Sequence, residues 1–251
     1  MNLVALTKIT ERLTQLAEEH HDLLLRNAEL NHLLREAEMT RAEEIARFAH
    51  EMKKPLAVIR GLIARCDPKT PRQQIRKTGQ EIDAEVSRAA KILDDMIALA
   101  RLETSARENK KLDLSEICTL VFEQQRAQFP KHKFEKKIKP GITIFSTPER
   151  VFAIVENLLE NAGRHTPAGS EVFCELTKKS DATMLRVRDN GCGLTADEQE
   201  KILTPFTALG HSGGSGLGLA VVARAVEKLG GKLKIHSTKN RGSEFTVYLP
   251  A

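Results

Sequence analysis

Aromatic side chains are scarce in this chain. Phe, Tyr and Trp make up 4% of its 251 residues, with no Trp and one Tyr, Tyr248. That argues against a stacking platform for single-stranded nucleic acid and against a core built on large rings. Cysteine is also sparse. Cys66, Cys118, Cys174 and Cys192 lie far apart and form no CxxC pair, which disfavours a metal centre or a disulfide framework and suits a reducing compartment. No run approaches the roughly 20 apolar residues of a membrane span. The N-terminus lacks the basic start, apolar core and small-residue cleavage site of a signal peptide. The expectation is a soluble, cytoplasmic chain that meets a membrane only through a segment absent from it. Charge of one sign is not in large excess: 39 Lys and Arg against 34 Asp and Glu give +5. Such a balance admits a phosphate-bearing ligand without demanding nucleic acid. With 41% hydrophobic residues, the composition is that of a globular protein and not of a disordered one.

Glycine and proline are missing from the sequence up to Pro55 and Gly61. Over that stretch apolar residues alternate in steps of four and three: Ile9, Leu13, Leu16, then Leu23, Leu30, Leu34 and Ala37, with His20 and Asn27 in the same seam. This period winds helices into a left-handed coiled coil, where a single core Asn fixes register and strand number. The seam shifts at Arg41 and Glu44 and resumes at Ile45, Phe48 and Met52, which resembles a stutter. Asp67-Pro68-Lys69-Thr70-Pro71 is a turn. A second seam then runs through Ile75, Gly79, Ile82, Val86, Ala89, Leu93, Met96 and Ala100. Two amphipathic helices on a short loop form half of a four-helix bundle, so a homodimer is expected. Residues 103–111 are polar and read as a linker.

Beyond the linker, strand and helix patterns alternate. Leu112 and Leu114 suggest a short strand, with Ser115 capping a helix that runs to about Gln128. Strands are predicted near 132–138, 142–145, 171–178, 183–188, 232–237 and 243–249. Lys131, Lys133, Lys136, Lys137 and Lys139 read as a solvated strand edge. Thr147 followed by Pro148 opens a helix with an apolar stripe, Thr195 and Glu198 fit a capping box, and a helix spans Leu217 to Leu229. This order predicts a mixed sheet covered by helices on one face.

Four motifs carry chemistry. His50-Glu51-Met52-Lys53-Lys54-Pro55-Leu56 places an imidazole on the side of a helix away from Phe48 and Met52, free to act as a nucleophile, with Glu51 beside it to orient the ring or take its proton. Glu156-Asn157-Leu158-Leu159-Glu160-Asn161 sets two amides four apart on one helical face, a donor type suited to a magnesium–phosphate site. Asp189-Asn190-Gly191-Cys192-Gly193 follows a strand and offers a carboxylate able to accept the exocyclic amine of adenine. Gly213-Gly214-Ser215-Gly216-Leu217-Gly218-Leu219 opens a helix, and glycine-rich backbone at a helix N-terminus favours anions.

In this order and spacing the motifs resemble the H, N, G1 and G2 boxes of the sensor histidine kinases of two-component systems, over residues 41 to 250. The resemblance implies a coiled-coil signalling helix at 1–40, a dimerisation and histidine phosphotransfer hairpin at 41–108 and a catalytic ATP-binding domain at 109–251. The fold class is thus α plus α/β: a coiled coil, a dimeric four-helix bundle from two helical hairpins, and an α/β sandwich of the Bergerat type shared with gyrase, chaperone and mismatch-repair ATPases. It implies ATP-dependent autophosphorylation of His50, with Glu51 as its acid–base partner, and transfer of the phosphoryl group to an Asp in the receiver domain of a response regulator.

By the same resemblance Asn157 holds Mg2+, Asn161 lies beside the nucleotide, and Arg164 and His165 lie near its phosphates. Asp189 reads adenine with Gly191 and Gly193 beside it. Gly214, Gly216, Leu217 and Gly218 belong to the ATP lid, and Thr204-Pro205-Phe206 is similar to the F box. Three departures stand out. Lys54 replaces the Thr or Asn of members that also dephosphorylate their regulator, so weak phosphatase activity is expected. Few residues separate Phe206 from Gly213, and Cys192 fills the slot between two site glycines. A degenerate kinase, binding ATP as a dimeric scaffold without phosphotransfer, is the alternative, and a pure ATPase has no use for His50 or the hairpin.

Overall fold

The computed structural model describes residues 3–67, 70–104, 109–179, 182–207 and 215–250, with side chains described from Arg26 onward. The chain forms two compact units, Met1–Ala49 and His50–Ala251. The first unit is helical. It holds most of α1 (Leu3–Ala64), as the absence of Gly and Pro requires. Of the first seam, Leu30 and Leu34 are 65% and 57% exposed, an uncovered apolar stripe of the kind a partner helix buries. Asn31 Nδ2 donates to Asn27 Oδ1 at 3.1 Å. The seam positions from Ile9 to Leu23 lie outside the described side chains.

In the second unit α1 continues through a buried Pro55. Cys66 and Asp67 leave the helix, and α2 (Arg72–Thr104) follows. Val86 and Leu93 of the second seam remain half-exposed, whereas Ile92 and Leu102 are buried.

The α/β part begins with β1 (Lys110–Asp113) and α3 (Leu114–Gln128). Here one expectation is corrected. Asp113, not Ser115, caps α3, its carboxylate accepting from Glu116 N at 3.0 Å, and Leu114 is already helical. Ser115 is buried. Its Oγ donates to Lys139 O at 2.8 Å and accepts from Ile142 N at 2.9 Å. The hydroxyl is consumed by a tertiary contact, so the neighbouring Asp takes the capping role.

The rest follows the predicted order: β2 (Lys133–Ile138), β3 (Thr143–Ser146), α4 (Pro148–Arg164), β4 (Glu171–Lys179), β5 (Ala182–Asp189), α5 (Ala196–Lys201), α6 (Gly218–Lys228), β6 (Lys232–Thr238) and β7 (Gly242–Pro250). β1 and β3 pair antiparallel. The main sheet has the order β2-β4-β5-β7-β6, parallel between β2 and β4 and antiparallel elsewhere.

Alternation sorts its two faces. Val172, Cys174, Leu176, Leu185, Val187, Phe245 and Val247 point into the core, against the stripe Val151, Ile154, Val155, Leu158 and Leu159 of α4 and Val221, Val222 and Ala225 of α6. On the other face Arg186 pairs with Glu175 and, at 3.6 Å, with Glu244. β2 is an edge strand whose lysines are paired at the surface: Lys133 with Glu171, Lys136 with Glu123 and Lys137 with Glu175. Leu102 of α2 enters the same core, with Ala98 and Leu99 packed against it. All four cysteines are free.

Candidate nucleotide site

The buried stripe of α4 fixes where its polar side points. Pro148 starts the helix after an extended Thr147. With Val151, Ile154, Val155 and Leu158 facing the sheet, Asn157, Glu160, Asn161 and Arg164 fall on the opposite side and line a cavity of about 540 Å³. The α6 N-terminus (Gly216, Gly218), the end of β5 (Asp189), the loop after it (Cys192, Gly193), and Arg88, Lys91 and Asp95 of α2 complete the wall.

Asn157 is almost buried, and its Nδ2 donates to Ala153 O at 2.8 Å. That bond settles the amide orientation and turns Oδ1 towards Gly218, where a β-carbon would come within 2.7 Å of it. Hence only glycine leaves the oxygen accessible. Asp189 ends β5. One of its oxygens, Oδ1, takes both local donors, Gly191 N at 2.8 Å and Ser243 N at 3.3 Å. This leaves Oδ2 as the acceptor for a ligand. Burial pushes the carboxyl above its ordinary range against the opposing pull of those two N–H groups. Gly193 adopts φ +60°, and a β-carbon there would overlap Thr238 O at 1.9 Å, so the loop closes onto β6 only with glycine. Leu194, Ile202, Leu219 and Phe245 add apolar wall.

The predicted capping box of α5 is present, Thr195 with Glu198. Glu198 also pairs with Lys239 at 3.1 Å, and both line the cavity. At the end of α4, burial and the neighbouring Arg164 hold His165 below the usual imidazole range.

Residues 146–251 match the family described as "Histidine kinase-, DNA gyrase B-, and HSP90-like ATPase", and residues 40–105 match the "His Kinase A (phospho-acceptor) domain". The chain belongs to the sensor histidine kinases of two-component systems. Its similarity to the circadian input-output histidine kinase CikA of Synechococcus elongatus is 28% identity over 87% of this chain and 31% of that protein. To the signal transduction histidine-protein kinase BaeS of Escherichia coli it is 27%, over 96% of this chain and 54% of that one. The chain thus spans between about a third and a half of these relatives. In fold it resembles the histidine kinase ThkA solved in complex with the response regulator protein TrrA, with a TM-score of 0.61 and 22% identity over 83% of this chain and 61% of that one.

Within this histidine kinase chain, Asn157, Asn161, Arg164, His165, Asp189, Gly193, Gly216 and Gly218 share the cavity wall. Two residues expected there sit behind it. Gly191 reaches the site through its N–H on Asp189, and Leu217 is wholly buried in the core. Gly213 and Gly214 lie outside the described residues. His50 and Glu51 are on α1 and not in the wall. His50 is exposed, as its position opposite the half-buried Phe48 and Met52 demands. Lys54 Nζ is paired with Glu51 Oε1. The wall residues of α2 were not legible in the sequence. Arg88, Lys91 and Asp95 lie outside the apolar seam of α2 and belong to none of the four motifs. Among the described residues no helix is long and apolar enough to cross a membrane.

Proposed function

We propose that this chain is the kinase portion of a sensor histidine kinase, phosphorylating itself on His50 from ATP and passing the phosphoryl group to an Asp of a response regulator. The observation that carries the reading is the paired arrangement in the cavity. Asp189 Oδ2 is held as a lone acceptor suited to the exocyclic amine of adenine, and Asn157 Oδ1 is kept open by Gly218. The family matches and the exposed His50 support the phosphoacceptor half of it.

Asn157 fits magnesium, because its Nδ2 is committed to Ala153 and the oxygen, the atom a hard cation prefers, is the one left over. When bound, the ion neutralises charge on the phosphates. Asn161, Arg164 and His165 stand on the same stretch of wall to hold the phosphate chain, and Gly216 and Gly218 bring backbone N–H groups to it. His50 supplies a ring nitrogen that attacks the γ-phosphorus in line. The N–P bond forms as the bond to the bridging oxygen breaks, ADP leaves, and Glu51 takes the imidazole proton. Lys54 in place of Thr or Asn points to weak phosphatase activity.

The division of labour we propose is 1–40 as signalling coiled coil, 41–108 as dimerisation and phosphotransfer hairpin, and 109–251 as catalytic domain. The chain acts as a homodimer on the cytoplasmic side, where its four free thiols are at home. Transfer of label from γ-labelled ATP tests the reading. Acid-labile label is expected in the wild-type chain and in His32→Gln, an exposed-histidine control, and is lost in His50→Gln. Labelling that survives in His50→Gln overturns the mechanism, and ATP binding without any label favours the scaffold.

A further inference from the structure

Five polar side chains from three segments meet beside Asn157 and the glycine-rich segment: Lys91 and Asp95 of α2, Glu160 and Arg164 of α4, and Ser215 ahead of α6. Lys91 Nζ lies 3.2 Å from Asp95 Oδ1 and 3.1 Å from Glu160 Oε2. Ser215 Oγ donates to Asp95 Oδ2 at 3.0 Å and accepts from Leu217 N at 3.1 Å. Arg164 pairs with Glu160 from the other side. Asp95 is 4% exposed.

Of the four charged members only Asp95 is buried. A buried carboxylate is a poor way to hold two surfaces together, because its desolvation offsets much of the attraction and apolar residues do the same work. α2 itself shows the apolar solution at Leu99 and Leu102, which pack on the α/β core. Burial pushes Asp95 above the usual carboxylate range although Lys91 and Ser215 pull the other way, so Asp95 is the member held at a cost. Lys91 and Glu160 differ: against burial, their partners keep Lys91 above and Glu160 below their ordinary ranges. The charges of the cluster sum to zero: Lys91 and Arg164 against Asp95 and Glu160. They are unequal in what each leaves behind. If Lys91 turns away, Glu160 keeps Arg164 and Asp95 keeps the Ser215 hydroxyl. If Arg164 turns away, Lys91 is left with two carboxylates. Lys91 is also the member carried on a flexible four-carbon stem in the cavity wall.

We propose that Lys91 is the residue by which the site distinguishes a nucleoside triphosphate from a diphosphate, exchanging its two carboxylate partners for the terminal phosphate. The inference rests on the reading of the cavity as an ATP site and adds to it a phosphate contact supplied by the dimerisation helix. It also gives Asp95 a consequence. Once Lys91 turns to phosphate, the carboxylate is left holding only Ser215, so occupancy by a triphosphate is felt by α2.

The test is a pair of titrations, ATP and ADP with magnesium, on the full chain. Lys91→Gln is expected to weaken ATP about tenfold and ADP less than about twofold, and Lys91→Arg to keep the preference for ATP. Lys91→Gln/Asp95→Asn removes both charges of the α2 pair together. It is expected to show the same selective loss, which covers the case in which Lys91→Gln alone unfolds by leaving Asp95 bare. Equal weakening of both nucleotides, or no weakening of ATP, overturns the proposal and leaves Lys91 a strut between α2 and α4. A wild-type chain that binds neither nucleotide fails the ATP reading itself, and the proposal falls with it.

Discussion

A β-carbon on Gly218 would lie 2.7 Å from Asn157 Oδ1. The amide cannot turn away freely, because its Nδ2 is bonded to Ala153 O one helical turn back. Gly218→Ala is therefore expected to cover the oxygen and to force either the Asn157 amide or the start of α6 to shift. The expected result is a modestly lower unfolding temperature in a chain that still folds, while ATP affinity measured by calorimetric titration falls at least about tenfold. Unchanged affinity in a folded Gly218→Ala chain removes Asn157 Oδ1 from the site.

Asp189 gives a variant in which stability and binding move in opposite directions. Both local N–H donors fall on Oδ1. An Asn keeps that oxygen for them and presents an NH2 group where Oδ2 stood, a donor facing the adenine amine, also a donor. Asp189→Asn should thus lose ATP binding. It should also be the more stable protein near neutral pH. Burial holds the Asp189 carboxyl above its ordinary range, so the folded chain binds that proton more tightly than the unfolded one. Stability associated with the group is complete below the unfolded value of about 4 and is lost as pH rises through the raised folded value. Denaturant titrations at a series of pH values should show Asp189→Asn ahead of wild type at about pH 7.5. The gap should close as pH falls towards 4. A gap that is constant with pH is not caused by this carboxyl.

Most of the α/β part was legible because each element repeats with its own period. The burial of β5 alternates as its sequence does, and α4 buries the one stripe that its apolar residues draw. What was not legible depended on contacts between distant segments. Asp113 and Ser115 are both capable caps, and only the Lys139 and Ile142 backbone, brought up by the β2–β3 connection, decides between them. Leu217 sits inside a glycine-rich motif, yet its side chain completes the core and only its backbone faces the loop. The α2 wall was hidden for another reason. A heptad pattern assigns one face of a helix, and charged residues on the remaining faces look solvated. That Asp95 is instead buried against Ser215 is a contact across 120 positions, beyond the reach of any local pattern.

Ser115 should matter for stability and not for chemistry. Its hydroxyl serves two backbone groups, Lys139 O and Ile142 N, and Ser115→Ala leaves both without it in a buried place. A loss of about 1–3 kcal/mol is expected from desolvated, unpaired groups, read as a lower urea midpoint with unchanged slope. ATP affinity at low temperature should stay within about twofold of wild type, since neither backbone group lines the cavity. A loss of affinity without a loss of stability contradicts this assignment.

In the proposed phosphotransfer, Lys54 bears on the fate of the phosphoryl group. Its Nζ is paired with Glu51 Oε1 three residues earlier, on the helix that carries His50. An ammonium is a donor only. It cannot accept a hydrogen bond from a water and so cannot turn that water's lone pair towards a phosphoryl group, and the pairing with Glu51 commits it further. A Thr hydroxyl at the same place both donates and accepts. The wild-type chain is therefore expected to dephosphorylate its receiver domain slowly. Lys54→Thr should accelerate that step at least about tenfold, the scale of gain that orienting one reactant provides. Both rates can be read as inorganic phosphate released from a labelled receiver domain previously charged from His50, with all nucleotide removed so that no phosphoryl group returns to ADP. Fast release with the wild-type chain, or no gain in Lys54→Thr, shows that the residue at this position does not govern the hydrolysis.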